Sequence, residues 1–134
     1  MGGNIYIDMM DDTPILRQWV NKKVEKYTKQ LGLRMEPIIV YSYEEMKAYG
    51  YKPDASDKRL MSRKAANVWI YKNSKKPNFL GINLKEHDDK EELENSIAHE
   101  ILHIRFPVMN HGEEFWTRLG MVLMGKKYGK VKKK

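Results

Sequence analysis

The chain contains no cysteine. That excludes a disulfide scaffold, a thiol nucleophile and a cysteine-ligated zinc ribbon. It also lacks any apolar run near the ~18 residues that a membrane-spanning helix requires. The opening segment, MGGNIYIDMMDD, is acidic and has no apolar core of the kind a secretory signal carries. Tyr6 stands where a myristoylation signal needs serine or threonine. Together these absences lead us to expect an intracellular chain that does not engage a membrane. Internal repeats and low-complexity linkers are missing too, so 134 residues read as one domain with one core.

Acidic residues are absent from the end of the chain. The last ten residues, GKKYGKVKKK, hold six lysines and no acid. The net charge is +7, so residues 1–124 carry only +1 once those six are removed. The expected organisation is a nearly neutral domain, 1–124, and a flexible lysine-rich tail, 125–134. Such a tail is attracted to polyanions or simply aids solubility. Lys58, Arg59, Arg63 and Lys64 are further basic residues that could join it in a nucleic-acid-binding surface.

Of what is present, the hydrophobic periodicity comes first. Leu16, Trp19, Val20, Val24, Tyr27 and Leu31 recur at three- and four-residue steps, which predicts a helix from Thr13 to Gly32 with Asp12 or Thr13 as its cap. The β-branched and aromatic runs Pro37–Tyr41, Ala66–Tyr71 and Phe79–Leu84 predict strands, the last two pairing across the turn 72–77. Tyr43–Ala48 reads as a short helix and Gly50–Asp57 as loop. A helix capped by Asp88 or Asp89 then runs through Leu93, Ile97, Ile101 and Leu102 until Pro107 stops it. A last helix starts near His111 or Gly112 and carries Phe115, Trp116, Leu119, Val122 and Leu123. The expected fold class is α+β: an N-terminal helix on a small, mostly antiparallel sheet of about three strands, then two helices.

The histidines are concentrated in one place. The stretch AHEILHIRFPVMNHGEEFW, Ala98 to Trp116, holds three of the four in the chain. His99 and His103 are four apart on the predicted helix, so their imidazoles share a face, as two ligands of one zinc ion would. Glu100 is offset by about 100° and, though it cannot point at the same spot, can reach a water bound to that metal. The chance expectation of such an H-E-x-x-H is only about 0.01 per chain, so a functional origin is favoured over coincidence. Two histidines leave zinc short of the three protein ligands of a catalytic site. His111 is the natural third, with Glu113 and Glu114 as rivals. His87, in LKEHDDK, reads as a surface residue. Trp69, Phe115 and Trp116 would either line a cleft or, more commonly for aromatics in such a pattern, fill the core.

The segment NSIAHEILHIRFPVMNHGEEFWTRLG resembles the SprT-like zinc metalloproteases and the related YgjP-type metallopeptidases. The resemblance is carried by His99, Glu100 and His103, followed by His111, Gly112 and Phe115, and by the Asn110-to-Trp116 ending. It covers about residues 80 to 120. It implies a zincin-like domain in which His99, His103 and His111 hold one Zn²⁺ and Glu100 is the general base for peptide-bond hydrolysis. It also implies action on DNA-associated or DNA-crosslinked proteins. With no cysteines, lysines would have to make any DNA contact. Substrate would lie extended along a sheet edge, Phe79–Leu84 or Val68–Tyr71. The competing expectation is a catalytically silent or latent zinc module that binds nucleic acid or a protein partner.

Overall fold

A computed structural model describes residues 11–50, 66–69, 77–107, 109 and 111–125. In chain order the elements are α1 (Pro14–Gln30), β1 (Ile38–Val40), α2 (Tyr43–Ala48), β2 (Ala66–Trp69), β3 (Phe79–Ile82), a 3₁₀ turn (Leu84–Glu86), α3 (Lys90–Arg105) and α4 (Glu113–Leu123). The architecture is α+β: four helices with a three-stranded sheet, counted over the described residues. Residues 51–65, 70–76 and 126–134 fall outside that description. The expectations for Lys58, Arg59, Arg63, Lys64, the lysine-rich tail and most of the Gly50–Asp57 loop therefore lie outside the described residues.

The first three α-helices begin where the sequence supplies a side-chain acceptor for orphan backbone N–H groups, whereas α4 starts at Gly112 with no side-chain cap. Thr13 caps α1, its hydroxyl accepting from Leu16 N at 3.1 Å, with Pro14 in the first turn. Leu31 closes α1, and Gly32 turns the chain away at φ +71°, a left-handed conformation suited to glycine. Asp89 caps α3 by accepting from Glu92 N at 2.9 Å, while the Glu92 carboxylate accepts in return from Asp88 N at 3.0 Å. The helix ends at Arg105, two residues before Pro107, as the restriction on pre-proline residues requires.

The sheet order is β1-β3-β2. β2 pairs with β3 antiparallel, Trp69 opposite Phe79 and Ala66 opposite Ile82. β1 pairs with β3 in parallel, Ile38 opposite Phe79. The sheet is thus mixed rather than mostly antiparallel. The long segment between β1 and β3 provides the crossover that a parallel pairing needs. β3 is the central strand, and Phe79, Leu80, Gly81 and Ile82 are all buried, which explains its unbroken apolar character. With both of its edges paired, β3 cannot offer the substrate edge expected of Phe79–Leu84. β2 is paired on one side only among the described residues.

The core lies where α1 and β2 pack against α3, and α3 against α4. The α1 stripe supplies Leu16, Val20, Val24, Tyr27 and Leu31. The α3 face supplies Leu93, Ile97, Ala98, Ile101 and Leu102, and α4 adds Phe115, Leu119 and Val122. Each such Leu or Ile buried contributes about 1.5–3 kcal/mol of hydrophobic stabilisation before the entropy cost of ordering it. A smaller cluster of Val40, Met46 and Phe79 fastens α2 to the sheet, with Trp69 packed on it. Trp69 is therefore a packing residue of the sheet. Arg17 ties the same region to α1, bridging Asp12 at 2.6 Å and Glu45 at 2.7 Å, with its guanidinium 4.0 Å over the Tyr41 ring.

Candidate metal centre

The buried face of α3 orients the rest of that helix. Because Ile97, Ala98, Ile101 and Leu102 face the core, His99 and His103 project from the adjoining side, and Glu100 follows between them. Phe106 and Pro107 then turn the chain back. His111 arrives just before α4, whose N-cap is Gly112. The geometry brings the three imidazoles together: His103 Nε2 lies 3.1 Å from His99 Nε2 and 2.7 Å from His111 Nε2. One donor atom from each of the three falls within 4.8 Å of the others. Tetrahedral ligation with Zn–N bonds of 2.0–2.1 Å sets neighbouring nitrogens about 3.3 Å apart; the two His103 separations are of that order, and the three residues together could hold a metal ion.

Three adjacent imidazoles with ring nitrogens facing one another are an electrostatic arrangement that disfavours protonation. Burial, followed by the proximity of His103 and His111, pushes the His99 imidazole down to about 4. Burial and then His111 push His103 down as well. The rings of His99 and His103 are thus neutral at pH 7, with lone pairs available to a metal. Nitrogen donors of this kind suit zinc and also cobalt, nickel and copper.

The rival ligands lie elsewhere. Glu114 accepts from Arg118 at 2.7 Å on the exposed side of α4. Glu113 is exposed in the first helical turn and is not among the residues grouped around the three histidines. Glu100 lies beside the cluster. Its Oε2 lies 4.0 Å from His99 Nε2, with the side chain only 13% exposed. That separation exceeds a direct hydrogen bond.

The aromatic residues divide by burial. Phe115 is fully buried and forms the floor of the cluster, stacked on His103 at 4.7 Å and set edgewise against His99 and His111 at 4.9 and 5.0 Å. Trp116 is 51% exposed and flanks the cluster, stacked on His111 at 5.7 Å and tilted against His99 at 5.6 Å. The turn leading to His111 is braced at its start: Arg105 and Arg118 place their guanidiniums 4.7 and 4.4 Å from the Phe106 ring. Nothing in the local sequence pattern marks this brace, because Arg105 and Arg118 meet Phe106 only once α3 and α4 are packed.

His87 corrects an expectation. It is 5% exposed, not a surface residue. Its Nδ1 donates to the Asn83 carbonyl at 3.0 Å, and its Nε2 is 2.8 Å from the Ser96 hydroxyl. The ring fastens the 3₁₀ turn to the side of α3. The polar flanks of LKEHDDK concealed this, since the partners lie four residues before and nine residues after.

No helix among the described residues is long and apolar enough to cross a membrane. No protein-family model, curated protein or solved structure matches the chain, so the functional reading rests on the site itself.

Proposed function

We propose that the protein is a zinc-dependent metallopeptidase. The observation that carries this reading is the combination of three convergent imidazoles with a sheltered carboxylate 4.0 Å from one of them. A purely structural zinc site has four protein ligands and no use for such a carboxylate. His99, His103 and His111 would hold the ion. When bound, zinc supplies a Lewis acid that makes water deprotonable near neutral pH and polarises a peptide carbonyl.

Glu100 is the general base in this reading. Its carboxylate takes a proton from the attacking water as the new C–O bond forms, then delivers that proton to the leaving amine as the C–N bond breaks. Phe115 holds the three rings in place and keeps water from their inner side. An extended peptide would add to the outer edge of β2 through main-chain hydrogen bonds. The lysines of residues 125–134 suit action near DNA or another polyanion, so DNA-associated proteins are the substrate class this reading favours.

Glu100→Gln tests the mechanism. The variant should bind one zinc like the parent and lose peptidase activity by about 10²–10⁴-fold, the usual contribution of a general base. Full activity in that variant would refute the role of Glu100. Zinc binding with no activity in the parent chain would favour the silent or latent zinc module instead.

A further inference from the structure

Trp116 is half exposed although it carries the largest apolar surface on α4. An exposed indole beside a polar cluster loses the stabilisation it would gain by burial. One turn further along the same face stands Gly120, also exposed. Glycine inside a helix costs stability relative to alanine. Gly120 has no left-handed backbone to justify it, and a Cβ built there would meet nothing within 4 Å. Neither backbone geometry nor close packing therefore calls for glycine. A longer side chain at position 120 would lean toward the preceding turn and lie over the indole. Glycine leaves that flank of Trp116 open. The face continues to Met124, 73% exposed, so positions 116, 120 and 124 form an uncharged stripe that begins at the histidine cluster.

Building on the peptidase reading, we infer that Trp116 determines specificity: its open flank, preserved by Gly120, receives the substrate side chain next to the bond to be cut and selects an apolar one. The distances support this. The indole lies 5.6 and 5.7 Å, ring to ring, from His99 and His111, so a side chain resting on it belongs to a residue at or beside the one held at the cluster. The absence of charge at positions 116, 120 and 124 favours leucine, methionine or phenylalanine over lysine or arginine.

The test is digestion of a random peptide mixture by the zinc-loaded full chain, with the cut positions mapped. Apolar residues should be enriched at one position beside the cut. In Trp116→Ala and in Gly120→Gln, that discrimination over glycine should fall about tenfold, with zinc content unchanged. If Trp116→Ala fails to fold or to hold zinc, Gly120→Gln decides, because its side chain covers the indole without removing a contact from the histidines. A preference that survives both changes, or a preference for lysine or arginine, overturns the inference. Should the parent chain cut nothing, the peptidase reading falls, and binding decides the inference separately. Labelled peptides that differ only in leucine against glycine are then titrated onto Glu100→Gln with and without Trp116→Ala. About tenfold tighter binding of the leucine peptide, lost with Trp116, supports it. Equal binding, or none, overturns it.

Discussion

The four histidines of this chain sit in two different environments. His99, His103 and His111 turn ring nitrogens toward one another. His87 instead spends both nitrogens on Asn83 and Ser96. Replacing His87 by alanine should therefore destabilise the fold by about 1–3 kcal/mol, through unpaired partners and a cavity, and leave zinc stoichiometry untouched. Parallel thermal melts and metal analysis check this; lost zinc in a folded His87→Ala protein would contradict it. The shared face of His99 and His103 was legible in the sequence because i, i+4 spacing fixes it without tertiary information, whereas the approach of His111 depends on the turn after Arg105. The place of His87 was not legible, because its burial depends on how a 3₁₀ turn folds against α3, which no local pattern encodes.

At the scale of elements, α3 supplies core residues and carries both His99 and His103, so its start is tied to the site. Asp89 satisfies the first-turn N–H of Glu92, and the Glu92 carboxylate returns to Asp88. Asp89→Ala should cost about 1 kcal/mol in unfolding free energy, measured by denaturant titration, with zinc still bound. A change below a few tenths would show that the cap is replaced by solvent. Helix limits were readable because capping residues and Pro107 act locally. The parallel pairing of β1 with β3 was not, since strand direction depends on the path of the long connection between them. The four consecutive buried residues of β3 were the available clue that it is central, and a central strand excludes the substrate edge first assigned to it.

On the scale of the whole molecule, α1 and α3 are joined by a polar link across an apolar interface. The Tyr27 hydroxyl donates to the Glu94 carboxylate, which also pairs with Lys23 at 3.3 Å and Lys26 at 3.8 Å. Burial raises the Glu94 carboxyl, but the Tyr27 hydrogen bond and the two lysines outweigh it and hold the group below its ordinary 4.5. The Arg17 hydrogen bond likewise holds Asp12 low. A carboxylate depressed on folding stabilises the native state above its unfolded pKa, and that contribution disappears as pH falls through the folded value. Metal-free protein should accordingly lose stability below about pH 4.5. Glu94→Gln should lose less over the same interval, as read from melting temperatures at pH 5 and pH 3. Equal losses would show that Glu94 is not involved. The link was invisible in the sequence, because Tyr27 and Glu94 lie on separate helices and their pairing exists only once α1 packs on α3.

The central claim is that three histidines form one metal centre, and metal content per chain tests it most directly. Elemental analysis of the parent protein and His111→Ala, both supplied with zinc and then freed of excess, should give one zinc per chain in the parent and a sharp reduction in the variant. Full retention in His111→Ala would remove His111 from the site and return Glu113 or Glu114 to consideration. A parent protein that takes up no metal would contradict the account outright.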